Sequence, residues 1–169
     1  MSDNKSSQPI FYLSHSPFQV LLEIAALVGL VLSFLILLRS FPTLPPTIPI
    51  HFGLSGKPDV WGARQTLWLF PTLNIILYLG ITITSQFPHT FNYPVAITQQ
   101  NALKQYQIAF SLLLWLKLEI IWLFTFIEWK MIQVAIGVSQ GLGIAFLPVM
   151  LLLVCGTSGF YLWQAYRYR

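Results

Sequence analysis

Between two apolar stretches the chain reads "HFGLSGKPDVWGARQ", from His51 to Gln65, and gathers an imidazole, an ammonium and a carboxylate in His51, Lys57 and Asp59. Such groups can hold a metal, activate a nucleophile or recognise a charged partner. One His and one Asp fall short of the three or four protein ligands of a zinc site, and His15 and His89 lie in segments predicted on the opposite side of a membrane. The chain has no G-x-S-x-G, no H-E-x-x-H and no accessible Cys-His pair, and "GLSGK" lacks the four residues between glycines that a phosphate loop needs. Too few requirements of an active site are met, so the expectation is a non-enzymatic protein without metal or cofactor. Recognition remains. His51, Lys57, Asp59 and Trp61 are the candidate contacts, with Phe52 beside them, and Gly53, Gly56, Pro58 and Gly62 would hold the shape. The competing reading is structural: the stretch caps the helices, with Trp61 at the headgroups and Asp59 closing a turn or capping the second helix.

Glu23, Asn74, Lys117 and Glu119 form a second set, because they interrupt long apolar runs. Near the centre of a bilayer a charged side chain costs about 3 kcal/mol on insertion scales. Lys117 and Glu119 are two residues apart, about 200° around a helix, and cannot pair with each other. Lys117 therefore needs Glu23, if the two meet in depth, or a backbone carbonyl freed by Pro71 or Pro148. Glu23, close to its helix start, reads most simply as a carboxylate reaching back to the interface. A conduction path requires polar groups at several depths on facing helices, and Thr72, Asn74, Ser111 and Thr125 are the main others. A polar clasp that fixes helix order is thus favoured, with a small transporter or accessory subunit using Lys117 and Glu119 as the alternative.

Helices in lipid must position both sets. The chain is 56% hydrophobic and 8% charged, with a mean hydropathy of +0.68, whereas a soluble domain is about a quarter charged. Four runs approach the roughly 20 residues needed to cross a bilayer. They cover about residues 18–38, 66–84, 108–127 and 141–163, between a polar N-terminal tail (1–17) and a short C-terminal tail (164–169). The expectation is an all-α integral membrane protein, four transmembrane helices in a bundle with a structured Pro/Gly-rich first loop at 40–65. The first run is too long, and lacks the cleavage site, for a signal peptide.

Details refine that picture. Ala25, Gly29 and Ser33 make a small-residue stripe for close helix approach, and Pro71, Asn74 and Pro148 require protein or water rather than lipid as neighbours. The third helix is expected to begin near Thr98 as N-cap and to run from Gln99 to Lys130, about 48 Å at 1.5 Å per residue. Cys155 reads as a buried, inert thiol. In the first loop, "TIPIHF" predicts an extended edge segment with Ile48, Ile50 and Phe52 on one apolar face. No basic run points to nucleic acid. Lys5, Lys104, Arg167 and Arg169 on the side of the termini balance Arg39, Lys57, Arg64 and Lys130 on the other, so charge leaves the orientation undecided.

The segment "LPPTIPIHFGLSGKPDVWGARQTLWLFPTLNIILYL" resembles DUF1648, the domain-of-unknown-function family 1648, whose members read approximately L-P-x-x-I-P-x-H-[FW]-x-x-x-G-x-P-D-x-[WY]-G between two transmembrane helices. Leu44, Pro45, Ile48, Pro49, His51, Phe52, Gly56, Pro58, Asp59, Trp61 and Gly62 fill those positions. The later "NYPVAITQQNALKQY" resembles the segment that follows in bacterial members. The resemblance implies a multi-pass protein of the bacterial cell (inner) membrane, without enzymatic activity, with the motif loop outside and the termini cytoplasmic. It also implies a distant similarity to SdpI-type immunity proteins, larger multi-span proteins that protect against a membrane-active toxin. The expected partners are the lipid bilayer and, at the loop with "MIQVAIGVSQ" on the same face, a peptide toxin or another membrane protein.

Overall fold

The computed structural model describes residues 8–11 and 13–169; the rest of the N-terminal tail, with Lys5, lies outside the described residues. Among the described residues, four helices are long and apolar enough to cross a membrane. They are α1 (Pro17–Ser40), α2 (Leu69–Thr84), α3 (Ala102–Ala135) and α4 (Phe146–Arg167). The chain is a multi-pass helical protein, to which the first loop adds a two-stranded antiparallel hairpin, β1 (Thr47–Phe52) and β2 (Pro58–Ala63).

Local chemistry fixes the helix starts. Pro17 occupies the first turn of α1 behind a capping box, in which Gln19 N–H donates to Ser16 Oγ (3.2 Å) and Ser16 N–H to Gln19 Oε1 (2.8 Å). Asn101 rather than Thr98 stands at the N-cap of α3. The two still exchange bonds, Thr98 N–H to Asn101 Oδ1 and Asn101 N–H to Thr98 Oγ1, so the helix starts three residues later than expected. It ends at Ala135, and its 34 residues span about 51 Å.

Neither Pro71 nor Pro148 interrupts a helix. Each is the third residue of its helix, in the first turn, where a backbone N–H has no partner within the helix. The expected freed carbonyls therefore do not arise; Pro71 and Asn74 are buried in protein, whereas Pro148 is exposed. The fourth helix begins at Phe146 and not at Gly141, as the apolar run suggests, because Gly137, Gly141 and Gly143, all at positive φ, keep that stretch in the α3–α4 connection.

α3 is the axis of the molecule and packs against the other three helices. Its partner face on α1 is Leu22, Ala26, Gly29, Ser33 and Leu37, spaced three or four apart. Gly29 lets the Ile121 and Trp122 side chains approach so closely that a Cβ there would lie 3.0 Å from Trp122 Nε1. α4 is attached differently, with Ala165 its one buried residue among those described. Gln105 Nε2 donates to the carbonyls of Ala165 (2.9 Å) and Tyr168 (3.0 Å) at one end, and Phe126 stacks on Phe146 at the other. Cys155 is exposed on this helix, not buried.

Candidate functional site

The hairpin forms because prolines punctuate it. Residues pair from Thr47–Ala63 through Pro49–Trp61, then His51 pairs with Val60, so Ile50 is an extra residue in β1. This bulge corrects the expected single apolar face. Ile48 and Pro49 are both buried, Ile50 is exposed, and Phe52 is half-buried. The Ile50 side chain lies over Gly62, where a Cβ would come within 2.6 Å of Ile50 Cδ1. At the tip, Gly53 N–H donates to Lys57 O (2.9 Å) and Gly56 N–H to Gly53 O (2.8 Å), with Gly56 at φ +75°.

Two attachments hold the hairpin on the bundle. At its base, Leu44 and Ile48 join Leu37, Leu67, Met131 and Ile132 in one buried apolar cluster. Arg64 locks the turn after α1, donating from Nη1 to Leu44 O at 2.8 Å while its guanidinium sits 4.9 Å over the Phe41 ring. At its tip, Leu142 N–H of the α3–α4 connection donates to Gly56 O (2.8 Å). That connection is Ile136–Ala145, since Met131–Ala135 of the expected "MIQVAIGVSQ" partner segment belong to α3.

The bulge turns His51 outward beside Asp59. His51 Nδ1 and Asp59 Oδ1 are 2.6 Å apart, and both side chains are exposed, 64% and 48%. Asp59 neither closes a turn nor caps α2, whose N-cap is Trp68 and makes no side-chain capping bond. With a proton on Nδ1 shared with the carboxylate, the imidazole of this exposed side chain is oriented. Gly53 leaves room for the other oxygen, since a Cβ there would lie 3.1 Å from Asp59 Oδ2. Leu54, Lys57, Val60 and Trp61 are exposed around the pair. The result is an exposed surface, attached at base and tip, that mixes charge with apolar area.

The intramembrane set assembles elsewhere, on the α1–α2–α3 interface. Lys117 Nζ lies 2.5 Å from Glu23 Oε2 and donates to Thr82 Oγ1 (2.9 Å), and Tyr78 donates from its hydroxyl to Glu23 Oε1 (2.6 Å). Glu23 is thus an ion-pair partner and not a carboxylate reaching back to the interface. Thr125 donates to Gly29 O (3.1 Å) and accepts from Asn74 Nδ2 (3.3 Å). Toward the hairpin, Ser33 donates to the fully buried Glu128 at 2.5 Å. Bonded α1–α3 pairs stay 92 to 97 residues apart in sequence, which means that the two helices run parallel and in step. Glu119 points away from this ladder, and its Oε1 accepts from Thr157 of α4 at 2.5 Å.

Sequence reasoning missed Glu128, Ser33, Tyr78, Thr82 and Thr157 as members of these networks. Glu128 follows the last residue of the apolar run and reads as an interface charge. Its signal was spacing, because Lys117, Ile121, Thr125 and Glu128 repeat every three or four residues on one face of α3. On the side of the termini, outside the helices, burial pushes the Tyr93 hydroxyl well above its ordinary range, with neighbouring Tyr106 adding to the rise, and the hydroxyl donates to Pro88 O at 2.9 Å.

Residues 28–75 match the family model DUF1648, described as "Domain of unknown function (DUF1648)". The matched stretch contains the second half of α1, the whole hairpin and the start of α2. A protein of Archaeoglobus fulgidus described as "Uncharacterized protein" is 33% identical over 76 residues, 40% of this chain and 42% of the relative. The match thus spans about two-fifths of that protein's length. No solved structure matches the chain significantly.

Proposed function

We propose that this is a non-enzymatic recognition protein of a bacterial cell (inner) membrane, immunity-like or sensory in role, that meets a peptide or another membrane protein through the hairpin. The reading rests on one observation. The hairpin is tied down at base and tip, yet it presents the oriented His51–Asp59 pair with Lys57, Leu54 and Trp61 exposed around it. A loop that served only to cap the bundle would turn such groups inward. Preorganisation of this kind reduces the ordering entropy lost on binding. Amphipathic peptides that act on membranes offer complementary chemistry, cationic groups for Asp59 and apolar faces for Trp61 and Leu54. We place the hairpin outside the cell and the termini in the cytoplasm, following the family resemblance.

A second reading, a small transporter, draws on the Glu23–Lys117 pair and on polar groups at several depths along α1, α2 and α3. Expression in a peptide-sensitive bacterium separates the two. Recognition predicts survival under membrane-active peptides that is lost with His51→Ala or Asp59→Ala and kept with the paired E23L/K117M exchange. Sensitivity to ionic stress alone, moved by E23L/K117M and not by the hairpin variants, would overturn recognition in favour of transport.

A further inference from the structure

We infer that the groove where the α2–α3 connection meets the start of α3 and the end of α4 is a binding site for an anionic phospholipid. Its phosphate would meet Lys104 and Arg167, and its acyl chain would run down α3. The groove holds about 830 Å³ and is lined by three cations, Lys104, Arg167 and Arg169, with Tyr166 and Tyr168 beside them. No acidic residue among the described residues lines it. It lies at the opposite end of α3 from the hairpin, and the inference does not depend on how the hairpin is read.

The charge of this groove is uncompensated. Ion pairs among the described residues are His51–Asp59 and Glu23–Lys117, so neither Lys104 nor Arg167 has a carboxylate partner there. Aromatic rings hold both cations without neutralising them. Lys104 Nζ stands 4.8 Å and Arg167 Cζ 5.8 Å from the centre of the Tyr168 ring, and Arg167 also lies 5.2 Å over Trp163. Two like charges are thus gathered on one ring, and an anion beside them relieves their repulsion. Gln105 keeps the frame in place by clamping the end of α4 through the Ala165 and Tyr168 carbonyls. Depth selects a lipid phosphate over a soluble one. The 22 residues of α4 rise about 33 Å, close to the roughly 30 Å of a hydrocarbon core, so Arg167 at its end stands at headgroup level, with the exposed Trp163 and Tyr166 nearby. A second, apolar groove of about 380 Å³ shares Pro94 with the first and is lined by Ile108 and Leu112 of α3 and Leu162 of α4. Lys104, Ile108 and Leu112 follow one another at four-residue steps on one face of α3, leading from the headgroup level into the bilayer. A basic cavity adjoining an apolar groove matches a phosphate head and its hydrocarbon tail, the arrangement by which basic pockets between transmembrane helices take anionic lipids.

The test is native mass spectrometry of the full chain in detergent, titrated with phosphatidylglycerol or with phosphatidylcholine of the same acyl chains. A saturable phosphatidylglycerol site is expected, tighter than phosphatidylcholine by about tenfold. K104Q and R167Q should each weaken it about fivefold, the effect of one cation at headgroup level. K104R should retain it, and R39Q, which removes a cation at the other end of the helices, should leave it unchanged. L162W, which obstructs the apolar groove and spares the cations, should weaken the lipid too, and glycerol phosphate, the head without its chains, should not displace it. Equal affinity for the two lipids, or equal losses in R39Q and in K104Q and R167Q, would show diffuse attraction and overturn the site. Displacement by glycerol phosphate, with L162W binding as well as the parent, would assign the groove to a soluble phosphate and overturn the lipid.

Discussion

Lys117 Nζ and Glu23 Oε2 lie 2.5 Å apart, and through Thr82 and Tyr78 this one contact gathers three helices. Interhelical hydrogen bonds in membranes average only about 0.6 kcal/mol, so neutral rungs such as Asn74–Thr125 contribute little singly. The charged rung differs because its loss strands a buried ion: the Lys117 side chain is 1% exposed.

Glu23→Leu should lower stability by about 3 kcal/mol, since it leaves the buried Lys117 without its counter-ion. The double variant E23L/K117M should recover most of that loss. A double-mutant cycle of unfolding midpoints in detergent measures the coupling. Additive effects of the two single changes would mean that the pair does not hold the helices together.

Ser33→Ala removes the hydroxyl that serves Glu128, whose other carboxylate oxygen already has no partner among the described residues. The expected cost is about 1–3 kcal/mol. Glu128→Gln keeps a group able to accept from Ser33 and should be tolerated far better. Thermal unfolding of both variants in nanodiscs makes the comparison.

Gly56→Ala should be worse than its size implies, for two reasons. The residue is at φ +75°, which costs an L side chain about 1–2 kcal/mol. A Cβ there would also collide with the Gly143 backbone. Gly80, inside α2 with open space around it, is the control, and its change to Ala should be neutral or stabilising by up to about 1 kcal/mol. Limited proteolysis at the hairpin tip should accelerate in the first variant and not in the second.

His51→Ala and Asp59→Ala should leave the unfolding midpoint nearly unchanged, because exposed ion pairs contribute about 0–1 kcal/mol. A large loss of stability in either variant would make the pair a structural bolt and remove the ground for a recognition surface.

Much of the fold was legible because hydropathy reports span number and small residues report close approach: the stripe with Gly29 and Ser33 does face α3. Helix starts were less legible. A proline in an apolar run looks the same whether it breaks a helix or begins one, and Pro71 and Pro148 begin theirs. The bulge at Ile50 was hidden for a related reason, since strict alternation in "TIPIHF" cannot show an extra residue that only pairing reveals. Pairing across helices was hidden too. Glu23 and Lys117 are 94 residues apart in sequence, and depth matching depends on where each helix starts. Glu128 escaped notice because one acidic residue after an apolar run is usually solvated.

Leu142, whose N–H is bonded to Gly56 O, lies four residues before α4 begins, and Gly143 O accepts from Phe146 N–H, the first residue of that helix. Hairpin tip and α4 are thus joined by a short backbone strut with no slack side chain in between. A tilt of α4 would pull on the hairpin, and a partner pressing on the hairpin would push on α4. The two are thereby linked through the backbone of Leu142 and Gly143, in a connection whose glycines 137, 141 and 143 stand at positive φ.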